Sequence, residues 1–476
     1  MKKIKRLKYV GGVASLGLLS ACTVGPDYRP PDVPNLPTHF ASANTNQFSE
    51  EMIELNWWQS FNDPLLLSLI TQSITHNYEI QIAYANLAQA RALYVDAGLN
   101  LLPQVTSHAN YNHQMRSIAA LNNRSFVPRS LSLYNVGFDA FWELDLFGRV
   151  RRNTEISNLE IQSSEANLRD IHTSLIAEVA RNYVELRGLQ NQLAITQQQI
   201  DNQQEWLNLI EVKITHGKSN PSDRLSVIAQ LESTKATIPT LNTAIAQTIY
   251  RLSVLAGQMP NTLTTSLADF LPLPQMPDII KIGNPEQLLK RRADIRIAER
   301  ALASATERIG IATADLFPRV TFVGSLSLEG SALKGLVASG SESYTLGPKI
   351  TWSFLDLGRV YARIDAATAN EKASIANYQQ TLLNALEETE NALVSYNQAH
   401  EKRNALLKSV IANDKSTQLA TIRYQSGAID LSTLLESQRH LLQDKKLLAE
   451  SETLIATSLI AVYKALGGGW ENSDLP

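Results

Sequence analysis

Metal ligation and thiol chemistry would fall to one cysteine and eight histidines, and their spacing removes most of both. The histidines are scattered, with no His-Glu-x-x-His pattern and no pairing with Cys, so no metal site and no cofactor are expected. Gly467–Gly469 lacks the Lys-Ser/Thr of a phosphate loop and follows a helical run instead of opening one, which suits a helix stop. Glu387 and Glu388 fall on a long helical pattern where solvation accounts for them. No catalytic constellation emerges, and an enzyme is not expected. Cys22 is different. It ends Leu19-Ser20-Ala21-Cys22, a sequence like a bacterial lipobox, in which the cysteine becomes the lipidated first residue of the mature chain. As the lone cysteine it can form no disulfide within the chain.

The elements around that cysteine read outward from it. Lys2, Lys3, Lys5, Arg6 and Lys8 precede a short apolar run, the layout of a secretory signal peptide over residues 1–21, too short to span a membrane. Thr23 stands where an Asp would signal inner-membrane retention, so delivery to the outer membrane is expected. Pro26, Pro30, Pro31, Pro34 and Pro37 make residues 22–60 an extended tether. After Cys22 no stretch of about 20 apolar residues occurs, so a membrane crossing would need strands. A net charge of -3, without a basic and aromatic cluster, argues against nucleic acid.

The remainder is a repeat. Residues 79–105 match 294–320 without a gap, and Trp142, Gly148, Arg149 and Gly217 recur as Trp352, Gly358, Arg359 and Gly427. The divisions expected are a first repeat at 61–257, a Pro-rich linker at 258–284, a second repeat at 285–466 and a tail at 467–476. Each repeat reads as helix, strand, strand, long helix, tight turn, helix. Tyr344, Leu346, Pro348, Ile350, Trp352 and Phe354 alternate with polar residues, as do Tyr134 to Leu144, with Phe141 the exception. The strand pairs are expected within about 103–145 and 318–356. Four strands, apolar on one face, suit a transmembrane β-barrel but cannot close one, so two or three chains must share it. From about Arg149 to Gly217, and again from Arg359 to Gly427, roughly 65 residues run helical, about 100 Å at 1.5 Å per residue. Val179, Leu186, Leu193, Ile200, Leu207 and Ile214 fall at every seventh position, a coiled-coil seam. The shorter helical runs, about 222–256, 285–317, 63–101 and 431–466, are each read as continuous.

"CTVGPDYRPP" (22–31), "WWQSFNDPLLLSLI" (57–70), the 291–320 run, "WELDLFGRV" (142–150), "WSFLDLGRV" (352–360), "RYQSG" (423–427) and "YKALGGGW" (463–470) together resemble the TolC-like outer-membrane efflux factors. The likeness is to their lipoprotein branch, typified by OprM and CusC, which serves RND-type tripartite pumps, and it covers essentially the whole mature chain. Ala293 stands where that family usually has Pro.

The resemblance implies an α+β membrane protein: a homotrimer whose 12-stranded transmembrane β-barrel, four strands per chain, continues into a long periplasmic α-helical barrel of antiparallel coiled-coil helices. Its partners would be a periplasmic adaptor (membrane fusion) protein, an inner-membrane RND-type transporter and outer-membrane lipid. It would be lipid-anchored at Cys22, conduct passively, and close at a periplasmic tip. Helix direction puts that tip, the adaptor-docking surface, at Gly217, Lys218, Gly427 and Ala428. Where relatives place a Leu and an Asp in rings, counting from Gly427 gives Ser432 and Glu436, with Arg439 a turn further. Arg423 and Tyr424 are candidates for the links that hold the tip shut. The competing reading is a lipid-anchored periplasmic coiled-coil scaffold without a pore. The exported substrate is not encoded in these motifs.

Overall fold

The computed structural model describes residues 23–31, 36–43, 47–54, 56–117, 119 and 128–469. The signal-peptide segment and Cys22 lie outside the described residues. In chain order the elements are β1 (Phe48–Ser49), α1 (Pro64–His76), α2 (Tyr78–Leu99), β2 (Gln104–Met115), β3 (Ser130–Leu144) and α3 (Arg149–Thr215). Next come α4 (Pro221–Lys235), α5 (Ile238–Leu255), α6 (Thr264–Leu267), β4 (Ile280–Lys281), α7 (Pro285–Arg291) and α8 (Ala293–Ala314). β5 (Arg319–Gly330), β6 (Glu342–Thr351), α9 (Leu357–Gln425) and α10 (Leu431–Ala465) complete the chain. Among the described residues no helix is long and apolar enough to cross a membrane.

Two compact units divide these elements. One holds Ile297–Gln379 with the described residues of Met1–Asp32 and Asn86–Glu165. Its centre is an antiparallel sheet in the order β2-β3-β5-β6, so among the described residues β2 and β6 are unpaired on their outer sides. The pairings Phe138↔Leu326, Trp142↔Phe322 and Leu326↔Tyr344 put apolar residues on one face. Thr106↔Asp139, Asn135↔Glu329 and Thr321↔Lys349 put polar residues on the other. The apolar face is bare: Phe138, Leu326, Tyr344, Leu346 and Ile350 are all exposed, an arrangement that needs an apolar surrounding. Pro348, which has no N–H to give a ladder, sits on β6, an edge strand of this sheet.

The repeat survives in detail at the strand ends. Trp142 Nε1–H donates to the Leu101 carbonyl at 2.9 Å, and Trp352 Nε1–H to that of Leu316 at 3.0 Å. Each indole therefore ties the end of its strand to the preceding helix-to-strand connection. The N-terminal residues of this unit are held against its helices. Arg152, 3% exposed, donates to the Val24 carbonyl at 3.0 Å and pairs with Asp27 at 3.3 Å and Glu307 at 2.7 Å. Gly25 lies so close to Gly310 that a Cβ on it would sit 2.6 Å from the Gly310 Cα.

The second unit comprises Ala166–Arg296 with the described residues of Val33–Ala85 and Gln380–Pro476. Here α3 is buried on most sides between residues 172 and 190, more than a seam would require. Tyr183 donates to Asp63 at 2.7 Å, Arg187 to the Asp269 carbonyl at 2.8 Å, and Gln190 to that of Leu267 at 2.8 Å. The helix passes Gly188 unbroken, and a Cβ there would lie 2.2 Å from Thr453 Oγ1 of α10. Beyond residue 190 burial thins to Thr196, Ile200, Gln203 and Ile210, the one-sided stripe that the heptad pattern predicts.

Three of the four shorter runs are broken where continuous helix was expected. Asn77 ends α1 and starts α2: its Oδ1 accepts from Glu79 N–H at 2.8 Å and its Nδ2 donates to the Leu255 carbonyl at 2.9 Å. Arg292, extended between α7 and α8, donates to Ala465 and pairs with Asp294 and Glu388. The break between α4 and α5 precedes Pro239, whose ring favours a helix start. Only α10 runs straight through.

Candidate functional site

Both long helices end in the same hydrogen-bonded turn. Gly217 and Gly427 take φ of +68° and +76°, the left-handed region open to a residue without Cβ. At the first turn Lys218 N–H donates to the Lys213 carbonyl at 2.8 Å and Gly217 N–H to that of Ile214 at 2.9 Å. At the second, Ala428 N–H reaches the Arg423 carbonyl at 2.8 Å and Gly427 N–H that of Tyr424 at 3.1 Å. These are two Schellman closures. Each is followed three residues on by a side chain that caps the next helix. Asn220 Oδ1 accepts from Asp223 N–H at 2.9 Å, and Asp430 Oδ1 from Thr433 N–H at 2.9 Å. Hydrogen bonds from Thr433 hold the Asp430 carboxyl below its ordinary range.

A small apolar core fixes the two turns to each other. Ile210 of α3, Val227 of α4 and Leu431 and Leu434 of α10 are buried, with Trp206 and Tyr424 packed against them. The Trp206 and Tyr424 rings meet edge to face at 5.8 Å, and Lys213 Nζ lies 4.2 Å from the centre of the Tyr424 ring. Burial raises the Tyr424 phenol pKa. Arg423 takes the other course: its carbonyl serves the turn while its side chain is exposed. Of these two expected link residues, the chain therefore brings only Tyr424 into the core.

Ser432, Glu436 and Arg439 share one exposed face of α10, a turn apart, while Leu431 and Leu434 face the core. Glu436 is paired within its own helix, with Arg439 Nη2 at 2.6 Å and His440 Nε2 at 2.9 Å. Arg439 chiefly, with His440, keeps that carboxyl below the ordinary 4.5.

Sequence reasoning misses the ties further along α9 and α10. Asn413 Nδ2 donates to Asp444 Oδ2 at 2.7 Å, Ser409 donates to the same oxygen, and the Thr417 and Ser437 hydroxyls meet at 2.9 Å. The signal for them in the sequence is Asp444 in mid-helix, with short polar residues about 30 positions earlier at matching helical spacing. Among the described residues no group of three or more His, Cys, Asp or Glu could hold a metal ion.

A family model for outer membrane efflux proteins matches residues 69–258 and 284–468. Nodulation protein T of Rhizobium leguminosarum bv. trifolii is 31% identical over 458 residues, 95% of this chain and 96% of that protein. The cation efflux system protein CusC of Escherichia coli O6:H1 is 27% identical over 458 residues, 95% and 97% of the respective chains. Among solved structures, the outer-membrane channel OprN matches with a TM-score of 0.87 and 36% identity, over 94% of this chain and 100% of that one.

Proposed function

Because this chain belongs to the outer membrane efflux protein family, we propose that three copies join their sheets into one twelve-stranded barrel and form the exit duct of a tripartite pump. The chain is an efflux channel of the outer membrane and not an enzyme. The observation that carries the trimeric reading is the sheet itself: four strands with both edges unpaired and one face apolar and bare. Such a sheet is stable in lipid only when other strands close it. A coiled-coil scaffold without a pore would leave that face in water.

In this reading a lipidated Cys22 anchors the chain beside the barrel. The Gly217–Lys218 and Gly427–Ala428 turns dock a periplasmic adaptor, which couples the duct to an RND-type transporter in the inner membrane. Ser432, Glu436 and Arg439 repeat around the axis as a polar constriction, with Tyr424 fixing the turn behind them and Arg423 free to bridge to a neighbouring copy. The Arg439 partnership leaves that ring near neutral instead of strongly anionic.

Planar-bilayer recording tests the reading. Purified protein should give discrete conductance steps, and unheated samples should migrate in denaturing gels as a trimer. Arg439→Ala should shift the reversal potential towards cation preference, and Glu436→Gln away from it. A protein that never conducts ends the duct reading, whereas conductance indifferent to both substitutions removes only the placement of the constriction. Acid should act like Glu436→Gln. A carboxylate whose pKa is depressed by folding contributes above its unfolded value, and that contribution is lost as pH falls through the folded one. The shift in selectivity is therefore expected only below about pH 4.5.

A further inference from the structure

Phe141 breaks the alternation of β3, and the structure gives the break a setting. It stands on the polar face of the sheet, directly paired with Val323 of β5, so two apolar side chains oppose each other where neighbours are polar. Both line a cavity of about 430 Å³ at the end of the sheet, together with Phe147 and Phe317. Those two rings are stacked at 4.5 Å. The rest of the lining is mixed, with Leu144, Leu146, Thr321 and Thr351 beside a group of charged side chains. Arg149 pairs with Glu143, Arg319 with Asp315 at 3.4 Å and Glu143 at 3.8 Å, and Arg363 with Asp315 at 3.1 Å. Asp145 is taken by Arg151 at 3.1 Å. Lys349 lines the same cavity, exposed and without a charged partner among the described residues. Two arginines thus share Asp315, one of them also Glu143, and Lys349 shares nothing. Among the lining residues positive charge exceeds negative by one: Arg149, Arg319, Arg363 and Lys349 against Glu143, Asp145 and Asp315.

We propose that this cavity is a transit site for amphiphilic organic anions: a carboxylate or sulfonate held by Lys349 and Arg363, its apolar body against Phe141, Val323 and the Phe147–Phe317 stack. The site rests on the duct reading, because it faces the pore only if the opposite, apolar face of the sheet meets lipid. A cavity of several hundred Å³ with an apolar wall and few polar anchors is the ordinary make-up of a small-molecule site. A duct needs binding weak enough to release, and the arginines' existing carboxylate partners keep the pull on an anion modest. The effect would be local selectivity, retaining cargo with an anionic head over its cationic counterpart.

Equilibrium dialysis of the full-length protein in nanodiscs, with naphthalene-1-sulfonate as probe and 1-naphthylmethylammonium as its charge-reversed control, tests this. Wild type should retain the sulfonate in preference to the ammonium ion. Lys349→Glu should weaken sulfonate retention by about tenfold, the scale of reversing one charge at contact distance near a wet surface. Phe141→Ser should weaken retention of the sulfonate without changing that of sulfate. Equal retention of the two probes, or retention unaffected by both substitutions, overturns the site. Conductance is scored separately, so a protein that conducts yet retains no sulfonate defeats this inference alone, and one that does not conduct defeats the duct.

Discussion

The two strand-to-helix junctions carry nearly the same phrase, "WELDLFGRV" and "WSFLDLGRV", and are built differently. At the first, Asp145 Oδ1 and Oδ2 accept from the Val150 and Arg151 N–H groups at 3.0 and 2.9 Å, capping α3. Gly148 sits at φ +84°, where a Cβ would lie 2.5 Å from the Thr23 methyl. At the second, the acid comes one place later in the phrase, as Asp356, and Gly358 is already inside α9 with nothing within 4 Å of its Cβ direction. Ala362 stands at the position matching Arg152, so the second junction has no strap to hold, and Phe354 and Leu355 are left exposed. Duplication supplied the architecture twice, and only one copy was fitted to the N-terminal residues.

Substitutions that affect one junction and spare the other sharpen this contrast. The largest effect should come from Arg152→Ala, which strands Glu307 without its partner and should cost about 3–5 kcal/mol. Thermal melting of the purified protein would show it, and an unchanged midpoint would mean that the strap contributes nothing. The glycines should differ in sign. Gly148→Ala should destabilise by about 1–2 kcal/mol through its left-handed backbone, whereas Gly358→Ala should be neutral or stabilising by up to about 1 kcal/mol; equal losses would erase the distinction. Asp145→Ala should cost about 1 kcal/mol as a lost helix cap, visible as faster amide exchange in the first turn of α3. What the junctions share should respond alike. Trp142→Phe and Trp352→Phe should each cost about 1 kcal/mol, one hydrogen bond, and by nearly equal amounts.

The strand alternation, the glycine turns and the unbroken 149–215 run are legible in the amino-acid sequence, because they depend on local rules, period and backbone freedom, which a sequence displays directly. The breaks at Asn77 and Arg292 are not legible there, because each is held by a distant carbonyl, Leu255 or Ala465. The strap escapes for a similar reason: five prolines indicate extended chain, but only the buried Arg152 shows where residues 23–31 lie. At the tip, counting places Ser432, Glu436 and Arg439 on one face, yet the pairing of Glu436 with Arg439 and the docking of Tyr424 on Trp206 depend on side-chain packing. Phe141 is visible as an anomaly in the pattern, but its meaning needs Val323 opposite it.

The unpaired outer sides of β2 and β6 have a genetic consequence. If the barrel closes only through its neighbours, a chain with one spoiled edge spoils every assembly it enters. In a cell expressing both forms, most assemblies would contain at least one defective member. Edge-breaking alleles, such as a proline placed within β2, should therefore be dominant, while alleles affecting the cavity beside Phe141 should behave as recessive.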